Sequence, residues 1–196
     1  MRVEWRERYE RAAARYAAGE TREPDERQLV QLANAAWAAG LSLLMAGERE
    51  EAAEWLRRSA ARYRESWDAT EAWGRPIGAM KALLIAGEDA SETARWALDA
   101  GAEEADSPIG RYAGVLALLV LERDEEAAAL AAGLGEDFPA DVAGALGALA
   151  AHDRQAYGAA VGAIRRDFDT RESFLEDVPV PDTALALDVL AAERFT

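Results

Sequence analysis

The stretch "AWGRPIGAMKALLIAGE" (72–88) carries the only lysine of the chain, Lys81; every other cationic side chain is an arginine. A single ammonium among Ile77, Met80, Leu83, Leu84 and Ile85 could act as a general base or Schiff-base amine, provided burial or a nearby cation lowered its pKa. The chain as a whole pushes the other way. Its 37 acidic residues against 22 basic ones give a net charge of −15, a field that favours the charged ammonium. On a helix from about 76 to 86, Lys81 borders the apolar stripe, with Ile77 at i−4 and Leu84 at i+3. Its stem can lie on the core while its head reaches water or a carboxylate. The expectation is a snorkelling or ion-paired structural lysine; a partner-binding cation and a catalytic amine are the other readings.

The remaining inventory is thin. With no cysteine, thiolate nucleophiles, disulfides and zinc–thiolate sites are excluded, and one histidine, His152, excludes two-histidine metal motifs. His152 sits in the turn "AAHDRQ", where the end of a helix favours an imidazole without any further role. Carboxylate pairs such as Glu125/Glu126 and Glu176/Asp177 are unremarkable in so acidic a chain. Neither a calcium-loop pattern nor a Glu-x-x-His motif occurs, and Lys81 follows a methionine rather than the glycine of a phosphate loop. No metal and no cofactor is expected.

Six tryptophans fall in the first half, which suits the core of a helical stack. Trp67 and Trp73 flank a loop and, with Arg75, form a candidate anchor cluster, because Trp and Arg are enriched in binding hot spots. Core packing is the preferred reading for both rings, with the anchor cluster as the alternative. Arg75 and Arg111 each follow a glycine at the start of an apolar helix. Both guanidinium groups are expected to tie loop carboxylates, for instance Glu71 or Asp106.

A surface of −15 repels phosphate backbones, so nucleic acid is not an expected ligand, whereas a basic protein partner is electrostatically natural. Acidity that mainly serves solubility, or that reflects a salty cytoplasm or a GC-rich genome, is the preferred explanation. No apolar run is expected to reach the roughly 18 to 20 residues that span a bilayer. The opening "MRVEWRERYERAAARYAAGE" lacks an apolar signal core. A cytoplasmic protein without membrane contact is expected.

Helical periodicity fills almost every window. In "EEAAEWLRRSAARYRESW" the positions Ala52, Trp55, Leu56, Ser59, Ala60, Tyr63 and Trp67 follow the i, i+3, i+4, i+7 rule. Ser107–Pro108 supplies an N-cap and a first turn. A joint also recurs: "LLMAGEREEAAEWL", "LLIAGEDASETARWAL", "LLVLERDEEAAALA" and "ALAAHDRQAYGAAV" turn near Gly47, Gly87, Glu122 and His152. Seven intrahelical glycines (78, 110, 114, 144, 147, 158 and 162) point to close helix approach, with bends as the alternative. The expected fold is a single all-α domain over 1–196: a stack of antiparallel helical hairpins similar to tetratricopeptide repeats, about ten helices and no sheet.

The segments "SWDATEAWGRPIGAMKALLIAGE", "ADSPIGRYAGVLALLVLERDEEA" and "RRDFDTRESFLEDVPVPDTALALDVLA" resemble the bacterial Immunity protein 49 family over roughly residues 50 to 193. That resemblance implies an all-α protein that binds and neutralises a cognate toxin; it brings no set of toxin-contacting residues. A nuclease toxin tends to be basic, which matches the acidic surface, and the exposed glutamates Glu50, Glu51 and Glu54 at a hairpin joint are candidate contacts. Two other readings stay open. One is a helical-repeat scaffold docking peptides or partner helices in its groove; the other is an enzyme, for which the sequence offers no catalytic constellation. The oligomeric state is not legible.

Overall fold

The computed structural model describes residues 2–20, 23–67 and 72–195. Among them ten α-helices follow one another: α1 Arg2–Gly19, α2 Glu26–Ala46, α3 Arg49–Glu65, α4 Gly74–Ala86, α5 Ser91–Asp99, α6 Pro108–Val120, α7 Asp124–Ala131, α8 Ala140–Ala150, α9 Arg154–Asp169 and α10 Asp182–Arg194. No strand occurs among the described residues. Consecutive helices from α1 to α9 pack against one another, and α4–α6 and α6–α8 pack one step further, giving the expected stack of hairpins.

Sequence chemistry separates two layers. Helices α2, α4, α6 and α8 are apolar on nearly every face, which is stable only if both sides are covered. Helices α3 and α9 bury one stripe, such as Trp55, Leu56, Ser59 and Tyr63 in α3, and leave charged residues outside. The stretch 26–46 is in fact long and apolar enough to cross a membrane by length and composition, contrary to the expectation. Two thirds of its most apolar window (67 %) is buried inside the fold, where α2 serves as a central helix.

The recurring joint has one geometry. Gly47, Gly87, Glu122 and His152 all adopt left-handed φ, at 88°, 75°, 58° and 54°. Each amide bonds back three residues, to Leu44, Leu84, Leu119 and Leu149 (3.0–3.2 Å). The next amide bonds five residues back, to Leu43, Leu83, Leu118 and Ala148 (2.9 Å each). Four helices thus end in the same Schellman motif, which satisfies the carbonyls orphaned at a helix end and aims the chain into the next helix.

The chain beyond α9 does not extend the stack; it returns along it. Glu176 pairs with Arg15 at 2.9 Å, Arg8 donates to the Asp177 carbonyl, and Val178 and Val180 are buried in the core of the first three helices. Helix α10 then lies against α4, α8 and α9. It buries Ala184, Ala186, Leu187, Leu190 and Ala191. The inner helices are covered by the chain's own C-terminal segment, which explains their all-round apolarity. At the far end Arg194 donates to the Leu119 carbonyl at 2.6 Å and to Asp124 at 2.8 Å, tying the end of α10 to the α6–α7 joint.

Only some of the seven glycines mark close approaches. A Cβ at Gly78 would lie 2.7 Å from the Tyr63 ring, and one at Gly114 would lie 2.9 Å from the Ala102 carbonyl oxygen. Gly110 likewise faces Ala105 and Trp73. Gly147 and Gly158 have open space around them, so the expectation of close helix approach is corrected there.

Candidate functional site

Lys81 sits at the crossing of four helices. Its ammonium forms an ion pair with Asp182 in the first turn of α10 and donates to Thr183 Oγ1 at 3.0 Å. It also lies 5.7 Å from the centre of the Trp37 ring of α2. Burial pulls the ammonium toward neutrality, but Asp182, and then Tyr112, outweigh that pull and hold its pKa above the ordinary value. Burial also raises the Tyr112 hydroxyl. An amine held in the charged state is the opposite of an activated nucleophile. The ion-pair reading of Lys81 is the one the geometry matches: the residue anchors α10 on α4.

His152 lies half exposed at its joint, with Nε2 2.8 Å from the Asp124 carboxylate, the group that also receives Arg194. This cluster links three helix ends. Among the described residues no group of three or more histidines and carboxylates is arranged to hold a metal ion.

The tryptophan cluster is mostly interior. Trp73 is 4 % exposed, so it belongs to the core rather than to an anchor surface, and beside Gly110 its indole N–H finds no acceptor among the described residues. Trp67 is half buried, with its ring 5.6 Å from Trp73 and 5.5 Å from Trp96. Arg75 reaches across to Glu26 at the start of α2. Glu71 lies outside the described residues. Arg111 does not seek Asp106. It donates to two main-chain carbonyls instead, Ala105 at 3.1 Å and Gly133 at 2.8 Å, because the end of α7 presents oxygens that no helix amide can reach.

The three glutamates proposed as contacts share one depression of about 550 Å³ at the α2–α3 joint, with Glu48 and Arg49. They are not equivalent. Glu51 accepts from the Tyr9 hydroxyl at 3.0 Å, and burial together with Glu51 raises that tyrosine's pKa. Glu48 pairs with Arg6. Glu50 and Glu54 are exposed and make no ion pair or hydrogen bond with the described residues. Two negative charges therefore project unneutralised from the first turns of α3.

Sequence reasoning missed what lies beside them. Arg49 also lines a second groove of about 600 Å³, walled by Leu44 and Met45 of α2, Ile85 of α4, and Leu185, Val189 and Ala192 of α10. Met45 is 46 % exposed. The signal was present in α10, which carries two apolar stripes: Ala184, Leu187 and Ala191 face inward, and Leu185, Val189 and Ala192 run at i, i+4, i+7 along another side. Leu185 and Val189 of this second stripe are half-buried against the cores, and Ala192 is exposed. No family model, curated protein or solved structure matches the chain.

Proposed function

We propose that this chain is a non-catalytic protein-binding module of the immunity type, which neutralises a cognate bacterial toxin in the cytoplasm by occupying a basic surface of it. The observation that carries the reading is the pair Glu50 and Glu54: exposed carboxylates without an ion pair among the described residues, on a chain of net charge −15, in a depression that shares Arg49 with an apolar groove. Aligned potentials of that kind raise encounter rates and favour basic partners over acidic ones. The groove supplies what charge alone does not, an apolar surface to bury after encounter.

The resemblance to the Immunity protein 49 family supports the same role. The covering of the inner helices by α10 bears on the alternative: a scaffold that docked peptides on the inner face of its repeats would find that face occupied by its own C-terminal segment. The test is a binding titration with the product of the adjacent reading frame. A 1:1 complex that abolishes the toxic activity of that product supports the reading; absence of binding by a folded, soluble product overturns it.

A further inference from the structure

We infer that the groove between the C-terminal ends of α2 and α4 and the outer stripe of α10 is the docking site for an amphipathic helix with a basic face, presented by the partner. The inference rests on the proposed function and specifies the part of the partner that is recognised.

Three observations point to this occupant. The walls are helical, and Leu185, Val189 and Ala192 form a ridge two turns long, about 10 Å at 1.5 Å per residue. No strand edge exists among the described residues for an extended peptide to join, so a helix laid beside α10 is the mode the surface offers. The charge around the groove then selects the helix. Asp188 and Glu193 line it, and the adjoining depression adds Glu48, Glu50, Glu51 and Glu54, against the single guanidinium of Arg49. Asp188 is already engaged by Arg165 and by the Tyr157 hydroxyl, whereas Glu50 and Glu54 are open to a partner's cations. A second copy of this chain would bring the same carboxylates to the interface and meet like charge. Met45 supplies the adaptable contact: an exposed thioether at the mouth of a groove fills irregular space against an incoming apolar side chain.

The test uses the full chain labelled with ¹³C at its methionine methyl groups. Met45 reports on the groove, and Met80, fully buried (0 % exposed), reports on the integrity of the core. The probes are two designed 18-residue helical peptides with the same leucine stripe, one with lysine and one with glutamate on the polar face. The leucine–lysine peptide should shift the Met45 resonance saturably and leave Met80 unmoved, and the leucine–glutamate peptide should leave both unmoved. Ala192→Arg, which fills an exposed position on the ridge with a like-charged group, should weaken the leucine–lysine peptide by about tenfold or more, a loss of 1.4 kcal/mol or more. An unmoved Met45 at saturating peptide overturns the inference, as does an equal response to both peptides. A Met45 shift that depends on protein concentration alone means that a second copy covers the groove, and also overturns it. Failure here is separable from failure of the proposed function. If the double variant Glu50→Lys/Glu54→Lys slows association with the neighbouring gene product while Ala192→Arg leaves its affinity within twofold, the acidic surface stands and the groove does not.

Discussion

Lys81 on α4 and Asp182 on α10 meet as an ion pair whose side chains are 12 % and 27 % exposed, with Thr183, 102 residues from Lys81, completing the contact. The pair holds the returning C-terminal helix against the middle of the stack. Removing one member leaves the other charge desolvated. Lys81→Met should lower stability by about 2–4 kcal/mol, and Lys81→Met/Asp182→Leu should recover most of that loss. The Lys81 pKa is raised on folding, so its contribution is complete below about pH 10.4 and is lost as the pH climbs through the raised value. Tyr112, raised by burial, acts in the same direction above about pH 10. Urea midpoints measured from pH 7 to 11 should fall at the alkaline end, less steeply in Lys81→Met than in the parent. A variant as stable as the parent would remove Lys81 from this role.

The four Schellman joints make a paired prediction. Gly87 holds φ 75° with no side chain, while Glu122 holds φ 58° against its preference. Gly87→Ala should cost about 1 kcal/mol, and Glu122→Gly should gain up to about 1 kcal/mol, since a left-handed conformation costs an L-residue roughly that much. Chemical denaturation of the two variants checks both signs.

The joints were legible because their cause is local. A leucine pair, a small residue and a left-handed turn are written in consecutive positions, so "LLMAGE" and "LLIAGE" read as helix ends before any tertiary contact is known. The all-α class followed from the same period. Long-range partners were not legible. Lys81 was expected to pair with a carboxylate, yet nothing in its own helix indicates Asp182. Arg111 satisfies main-chain oxygens before α6 and just past the end of α7, and an orphaned carbonyl leaves no residue type to read. For Trp73 the core reading was preferred over the anchor its loop position suggested, but what makes room for the ring, Gly110 on α6, was not legible from its own segment. The groove escaped notice because Leu185, Val189 and Met45 lie on separate helices and read individually as core.

Glycines inside helices should divide by their surroundings. Gly114→Ala drives a methyl toward the Ala102 carbonyl and Leu130, both 2.9 Å from the new atom, and should destabilise by about 1–3 kcal/mol. Gly158→Ala meets nothing within 4 Å on α9 and should stabilise by about 0.5–1 kcal/mol. Thermal melts of the two variants, shifted in opposite directions, are the expected result.

Arg111→Ala removes both donors to Ala105 and Gly133 and should lower stability by about 1–3 kcal/mol, the range for hydrogen bonds made by a charged group. Arg111→Lys should recover only part of the loss, because one ammonium does not reproduce the fork that reaches two carbonyls. A melting temperature unchanged in Arg111→Ala would contradict the capping role.

The measurement that tests the central claim most directly is the stopped-flow association rate of this chain with the product of the adjacent reading frame, as a function of salt. The parent rate should fall steeply as ionic strength rises from about 0.01 to 0.15 M, over which the screening length shrinks from roughly 30 to 8 Å. Glu50→Lys/Glu54→Lys should slow association by about tenfold at the low-salt end and much less at the high end. Lys81→Met, whose site is interior, should stay within about threefold of the parent affinity as long as it is folded, because methionine preserves the stem's apolar packing. Rates independent of salt, or a folded Lys81→Met chain that no longer binds, would contradict the account.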